Sequence, residues 1–415
     1  MENCTVRMSS HIKLSERLFF IFLSLFIFTL PTVLVYKIGG ENGVSIAYLF
    51  LMLMVFLFIP SIIQKFFKKK FTYSSIFLVL WFFWIVITAF INGGIEPIYL
   101  LSVIVIISSF LFALNGRIGE YFFIKLLSLS MVLSLIGVIL FYAKIPLIDF
   151  SIAGNDQYFS IGHEGYFRAM SLFTNPNAFG YYLIFSIPVL ISLRKNIGKL
   201  YFYFNLLLFL FALLLTTSRS SIASIVMLIP IYIILYFTKN CQIRKVFLNT
   251  VFFFLLFCFF LILLFLPNLE ETNVRFIKWQ SVFNFYYVNW EYIFTGAPFG
   301  INLFYMGESF SDNMFLYIFI KNGLIGLLFF LLVLWFVMIK AIRVLIKSKK
   351  YCNYEIGCSY FMVLTLIPLF FSNFLLFFPI SVLFGIASGV VIRARELNII
   401  NSLQQNEYST NNSTR

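Results

Sequence analysis

The sequence predicts an all-α polytopic membrane protein, and three observations carry that reading. Of 415 residues, 61% are hydrophobic and 11% charged, with a mean hydropathy of +0.98. A soluble domain has about a quarter charged residues. Apolar runs of about 20 residues recur from end to end, the length that crosses a bilayer as a helix. A transmembrane barrel would show short alternating segments instead. Basic residues also segregate between alternate loops, as the positive-inside bias requires.

The apolar runs place about twelve spans at 18–36, 43–63, 74–92, 96–114, 123–143, 177–193, 200–217, 221–237, 246–266, 314–339, 356–374 and 379–392. The last is short and reads either as a span or as a re-entrant partner of its neighbour. With the N-terminus inside, 23 of the 30 Lys and Arg fall on the inner side, and acidic residues run the other way, 10 outside and 6 inside. Both termini are therefore expected in the cytoplasm. This distribution accounts for the net charge of +14 without a nucleic-acid partner. Leu18 to Tyr36 lacks a small-residue cleavage site and reads as a signal anchor. The chain is expected to form one helical transmembrane domain over residues 1–400. Two long external loops, 144–176 and 267–313, interrupt it, and a polar tail over 401–415 reads as disordered.

None of the five cysteines (Cys4, Cys241, Cys258, Cys352, Cys358) lies in an expected external loop, so disulfides are not expected. With only His11 and His163 as histidines, no metal-ligand spacing exists. The chemistry is expected to need neither metal nor other cofactor.

External cations run against the charge bias. Lys37 and Lys144 flank span ends, where snorkelling suffices. Arg168, Arg219, Arg275 and Lys278 ask for more. Arg219 sits in LLLTTSRSSIAS, a short polar break between two apolar runs. It reads either as a turn residue capping carbonyls or as an anion-binding guanidinium among hydroxyls, since its fork matches phosphate. Arg168 shares a loop with His163 and Glu164 and stands nine residues before Asn177. Asn175, Pro176 and Asn177 are a helix-start signal, which also leaves first-turn amides for an anion.

The second loop, NVRFIKWQSVFNFYYVNWEYIF, predicts an aromatic amphipathic helix lying in the membrane interface. Arg275, Lys278 and Trp279 share one face of it, for headgroup anchoring or for substrate. A break at Gly296-Ala297-Pro298-Phe299-Gly300 follows, then Glu308, Asp312 and Asn313. Asp312 reads as an N-cap or as a general base. Gln157, Tyr158, Asn284 and Tyr305 are candidates for sugar contact. Three external arginines with a carboxylate point to a diphosphate joined to a sugar. A positive clamp can stabilise a diphosphate leaving group without a metal.

The order FRAMSLFTNPNAFG, span, LLLTTSRSSIAS, large loop with Arg275 and Trp279, then SDNMFLYIFIKNGLIGLLFFLL resembles the O-antigen polymerase and ligase superfamily of bacterial envelope-glycan enzymes, over residues 160 to 340. The resemblance implies a GT-C-like membrane glycosyltransferase architecture, at the outer face of the inner (cytoplasmic) membrane. It implies undecaprenyl-diphosphate-linked oligosaccharide as donor and acceptor, membrane lipid as surroundings, and a chain-length regulator protein as a candidate partner. It maps catalytic roles onto Arg219 and Arg275, with Asp312 as candidate base. Substrate-binding roles fall to Arg168, Asn175, Asn177, Lys278 and His163. Ligases of the superfamily place a His-Asn pair where this chain has Asp312-Asn313. That departure turns the leading expectation to a repeat-unit polymerase, with a ligase transferring glycan to lipid A core or another acceptor as the alternative. A flippase of the same lipid-linked units stands third. A transporter of that kind should show internal repeats and midplane charges, and the sequence shows neither.

Overall fold

The computed structural model describes residues 10–30, 37–38, 44–45, 49–57, 73–144, 168–173, 175–237, 274–301, 313–347 and 353–394, with isolated positions between 242 and 250. In chain order the helices are α1 Ser10–Thr29, α2 over 49–57, α3 Tyr73–Ile91, α4 Pro97–Leu114, α5 Glu120–Ala143, α6 Pro176–Ser192, α7 Lys199–Thr216, α8 Arg219–Phe237, α9 Val274–Val288, α10 Met314–Lys347, α11 Tyr354–Leu364, α12 Leu366–Phe371 and α13 Phe378–Ala394. Short 3-10 turns cover Trp290–Tyr292 and Phe374–Leu376. A two-residue antiparallel ladder joins β1 Lys37–Ile38 to β2 Val44–Ser45.

Among the described residues, five helices are long and apolar enough to cross a membrane: α4, α5, α7, α10 and the α11–α12 stretch. α3, α6, α8 and α13 are shorter apolar helices. The outward faces of α3 and α7 carry large apolar side chains, Phe90 and Leu200 being more than four-fifths exposed. Such faces need lipid. The architecture is that of a multi-pass helical membrane protein. The span expected at 246–266 and much of that at 43–63 lie outside the described residues.

Three expectations change in detail. α1 begins at Ser10, ahead of the span expected from 18, and within it Glu16 is buried and accepts from the backbone N–H groups of Gly119 (2.8 Å) and Phe122 (3.2 Å) at the start of α5. Of the two readings of 379–392, α13 takes the first in extent: it is a full apolar helix over Phe378–Ala394, buried along almost its whole length. Gly385 and Gly389, four apart, make this possible, because a Cβ on Gly385 would lie 1.9 Å from Ser109 Oγ and one on Gly389 2.4 Å from the Phe110 carbonyl. This is the small-residue seam that lets helices in lipid approach closely.

The third change concerns 314–339, expected as one span. α10 is broken at Gly323, whose φ of 65° and ψ of −170° leave the helical region. The break frees carbonyls that a buried segment must satisfy. Trp84 Nε1 donates to Asn322 O at 2.8 Å, Ala297 N to Ile320 O at 2.7 Å, and Tyr286 O–H to Phe319 O and Ile320 O at 3.2 and 3.3 Å. Leu324 N turns away to Ile293 O at 2.8 Å. Only glycine fits, since a Cβ at 323 would lie 2.2 Å from the Phe294 backbone. A small apolar cluster of Val282, Tyr286, Ala297 and Ile320 fastens α9 and the 297 loop to the short leading half of α10.

Candidate anion site at one end of the bundle

α7 ends at Thr216, Thr217 turns with φ 48°, and α8 begins at Arg219. The polar break expected there is two residues long, so Arg219 opens a helix. The last carbonyls of α7 have no helical donor, and the chain before α6 supplies donors. Ala169 N donates to Leu215 O at 2.9 Å and Arg168 Nε to Thr216 O at 2.7 Å. The carbonyl-capping role considered for Arg219 thus belongs to Arg168. Arg168 Nη2 also reaches Asn177 Oδ1 at 3.0 Å.

Asn177 is held at the start of α6 as the sequence predicts. Asn175 is the N-cap, its side chain accepting from Asn177 N at 2.7 Å, and Pro176 takes the first helical position. Gly180 brings α6 against the first turn of α8, where a Cβ would lie 2.5 Å from Ser221 Oγ. Tyr181 O–H and Ser220 Oγ meet at 3.2 Å. The N-termini of α6 and α8 therefore lie side by side, with Arg168 bridging from α7.

Arg219 is exposed and makes no hydrogen bond or ion pair with the described residues. Burial pushes the Arg168 guanidinium below its usual pKa; Tyr181 opposes this and the nearby positive charge of Arg219 adds to it. A cation at a helix N-terminus opposes the macrodipole, so two arginines at two adjacent N-termini concentrate positive potential. An anion would relieve it through the Arg219 guanidinium and the first-turn amides of α8; in α6, Pro176 has no N–H and that of Asn177 is taken by Asn175. The hydroxyls expected around Arg219 are mostly spent elsewhere. Thr216, Ser218, Ser221 and Ser224 are buried, with Ser218 and Ser221 paired at 2.8 Å and Ser224 bonded to Ser220 O at 2.8 Å.

The structure brings together Arg168, Asn175, Asn177 and Arg219. The backbone of α9 carries Arg275 and Lys278, but their side chains lie outside the described residues, as do His163, Asp312, Gln157, Tyr158 and Tyr305 in full. Trp279, expected to share a headgroup-facing surface with Arg275 and Lys278, is only 2% exposed. Val282 and Tyr286 continue its buried stripe, while Phe283, Asn284 and Tyr287 face outward. Asn313 is the cap of α10, fully buried, its Oδ1 accepting from Phe315 N at 2.9 Å and Leu316 N at 3.1 Å. The N-cap role weighed for Asp312 is filled by its neighbour.

Sequence reasoning missed a second polar cluster. Glu96, at the start of α4, pairs with Lys321 at 2.6 Å and accepts from Tyr317 O–H at 2.6 Å. Asn322 donates to Thr88 Oγ1 at 2.8 Å and accepts from Tyr99 O–H. The signal available was a Lys beside an Asn-Gly step inside an apolar run, with an acid at the end of another run. Both clusters lie at one end of the bundle. Tyr181 packs on Phe374 and Phe377, Phe315 on Phe370, and the 374–376 turn on α4.

The fold is that of a multi-pass helical membrane protein, with two arginines set at two adjacent helix N-termini. No family model matches the chain. It is similar to the ComP-specific O-oligosaccharyltransferase of Acinetobacter baylyi, 25% identical over 360 residues. The match takes in 77% of this chain but less than two thirds, 63%, of that relative's length.

Proposed function

We propose that this protein is a membrane glycan transferase that moves an oligosaccharide from a lipid diphosphate carrier to an acceptor hydroxyl. The observation that carries this is the Arg168–Arg219 pair at the joined N-termini of α6 and α8, a cradle suited to a diphosphate. The relative's name, an oligosaccharyltransferase, supports ligase-like transfer over repeat-unit polymerisation, so the ligase-like reading now leads. The resemblance to O-antigen polymerases and ligases implies undecaprenyl diphosphate as the carrier and the external face of the bacterial inner membrane as the place.

In this reading the acceptor oxygen forms a bond to the anomeric carbon. The bond from that carbon to the phosphate oxygen breaks. Asp312 takes the hydroxyl proton. The diphosphate departs with its developing charge held by Arg219, Arg168 and Arg275, which is electrostatic stabilisation of a leaving group. Lys278, His163, Asn175 and Asn177 would line the approach. No metal is required by this scheme.

Polymerisation remains the second reading, favoured by Asp312-Asn313 standing where ligases carry a His-Asn pair. Deleting the gene and resolving the surface glycan on a gel separates the readings. Unligated glycan supports the ligase, single-repeat product the polymerase, and lipid-linked units trapped inside would support a flippase and end the transferase reading.

A further inference from the structure

We propose that the cavity between the 92–96 turn and the 297–301 loop is a saccharide subsite, taking one sugar hydroxyl with the ring resting on Phe299. The proposal deepens the transferase reading and rests on it for the source of the glycan.

The cavity is about 20 Å³ and is lined by Thr88, Asn92, Glu96, Phe299 and Lys321 among others. A space of that size holds one water-sized group, so it suits a hydroxyl and not a whole ring. Asn92 is 8% exposed. Its Nδ2 donates to Thr295 O at 2.9 Å, while its Oδ1 is buried and has no partner among the described residues. A buried carbonyl without a donor is costly, and its residue lines the cavity. Beside it stand the Glu96 carboxylate and the Lys321 ammonium, paired but each about a quarter exposed, at 27% and 24%. A carboxylate and an ammonium thus line one small space, and a neutral hydroxyl both donates and accepts.

Charge excludes the competing chemistries. Glu96 repels a phosphate, and Lys321 already occupies the place a cation would take. The mouth adds the apolar element. Phe299 is 51% exposed, and its N–H donates to Asn92 O at 2.8 Å. Its ring lies so close to Gly94 that a Cβ there would come within 2.8 Å of Phe299 Cδ1. The residue with the unpaired acceptor therefore also holds the aromatic ring at the rim. A polar edge beside an aromatic face matches a sugar, with hydroxyls at its edge and C–H groups on its face. The broken helix keeps the geometry fixed, because Lys321 and Asn322 occupy the last positions before Gly323, and Asn322 is tied to Thr88 and Tyr99. The hydroxyl belongs either to a distal sugar of the donor glycan or to the acceptor.

The test uses the full chain in lipid nanodiscs. The probe is the free oligosaccharide released by mild acid from the host's own lipid carrier, read by saturation-transfer difference NMR. The expected result is saturation of sugar protons by the wild type, with affinity weakened at least about tenfold in Phe299→Ala and in Glu96→Gln. Phe299→Ala alters an exposed side chain and should fold normally. Arg219→Ala should retain the free sugar. Displacement by added lipid-linked oligosaccharide assigns the subsite to the donor, and simultaneous binding assigns it to the acceptor. Unchanged affinity in both variants, or no binding of the free glycan by wild type, overturns the subsite and leaves a water pocket. Sugar binding that depends on Phe299 in a protein without transfer activity would overturn the transferase reading alone.

Discussion

Arg168 joins two helices through one guanidinium: its Nη2 donates to Asn177 Oδ1 at 3.0 Å while its Nε holds the Thr216 carbonyl at 2.7 Å. Asn177→Asp keeps that geometry but puts a carboxylate in the cradle. We expect normal accumulation and melting temperature, with undecaprenyl diphosphate bound at least about tenfold more weakly, since the added charge opposes the phosphate. Native mass spectrometry of the purified variant checks this. Unchanged lipid binding would leave the Arg168–Asn177 contact a purely structural one.

Arg219 opens α8 without a partner among the described residues, so its removal should cost little stability. Arg219→Lys is expected to accumulate and melt like the wild type, within about 0.5 kcal/mol as for an ordinary surface change. It should lose most transfer activity, because lysine offers a point charge in place of a fork. Full activity in the lysine variant would remove the bidentate role.

Asp312 and Asn313 are separable by paired substitutions. Asn313 caps α10, so Asn313→Ala should lower stability by about 1 kcal/mol, seen as a lower melting temperature. Asp312→Asn should leave melting unchanged and slow transfer by about 10²–10⁴, the usual worth of a general base. Wild-type rates for Asp312→Asn would shift attention to His163 or Glu308.

Gly323→Ala should be the most destabilising of these changes. Its Cβ would meet the Phe294 backbone at 2.2 Å from a φ of 65°. We expect loss of more than about 3 kcal/mol, typical of strain and overpacking combined, and hence low yield in the membrane fraction.

Reporter fusions test the orientation. Those after Asp156 and Glu291 should read external, and those after Lys69, Lys195 and Lys347 cytoplasmic. Opposite results for 156 and 291 would separate Arg168 from α9 and dismantle a shared site.

Much of the fold was legible because lipid imposes simple requirements. Apolar length marked α3 to α8 within a few residues, and Asn175-Pro176 marked the start of α6 through a local cap. What stayed hidden depends on tertiary contact. Nothing local in IFIKNGLIG distinguishes a tolerated glycine from a break, because the break exists only where Trp84, Tyr286 and Ala297 donate to the freed carbonyls. The Glu96–Lys321 pair joins residues 225 positions apart, beyond any spacing argument. Arg168 and Arg219 were both singled out, but their division of labour was not. Which arginine caps α7 and which faces outward depends on how the 168–173 segment crosses the end of that helix.

The interruption at Gly323 also bears on how such a protein can change. An unbroken helix carries any insertion or bend through its whole ladder of hydrogen bonds, so its two ends cannot vary independently. Here the ladder stops, and the leading turns of α10 are anchored sideways to α9 and the 297 loop. Side chains of the leading turns and of the 297 loop can therefore diversify, or be exchanged as a cassette, while the remainder of α10 keeps its register. A chimera that swaps residues 274–322 as one block should fold, whereas a junction placed inside 314–322 should not.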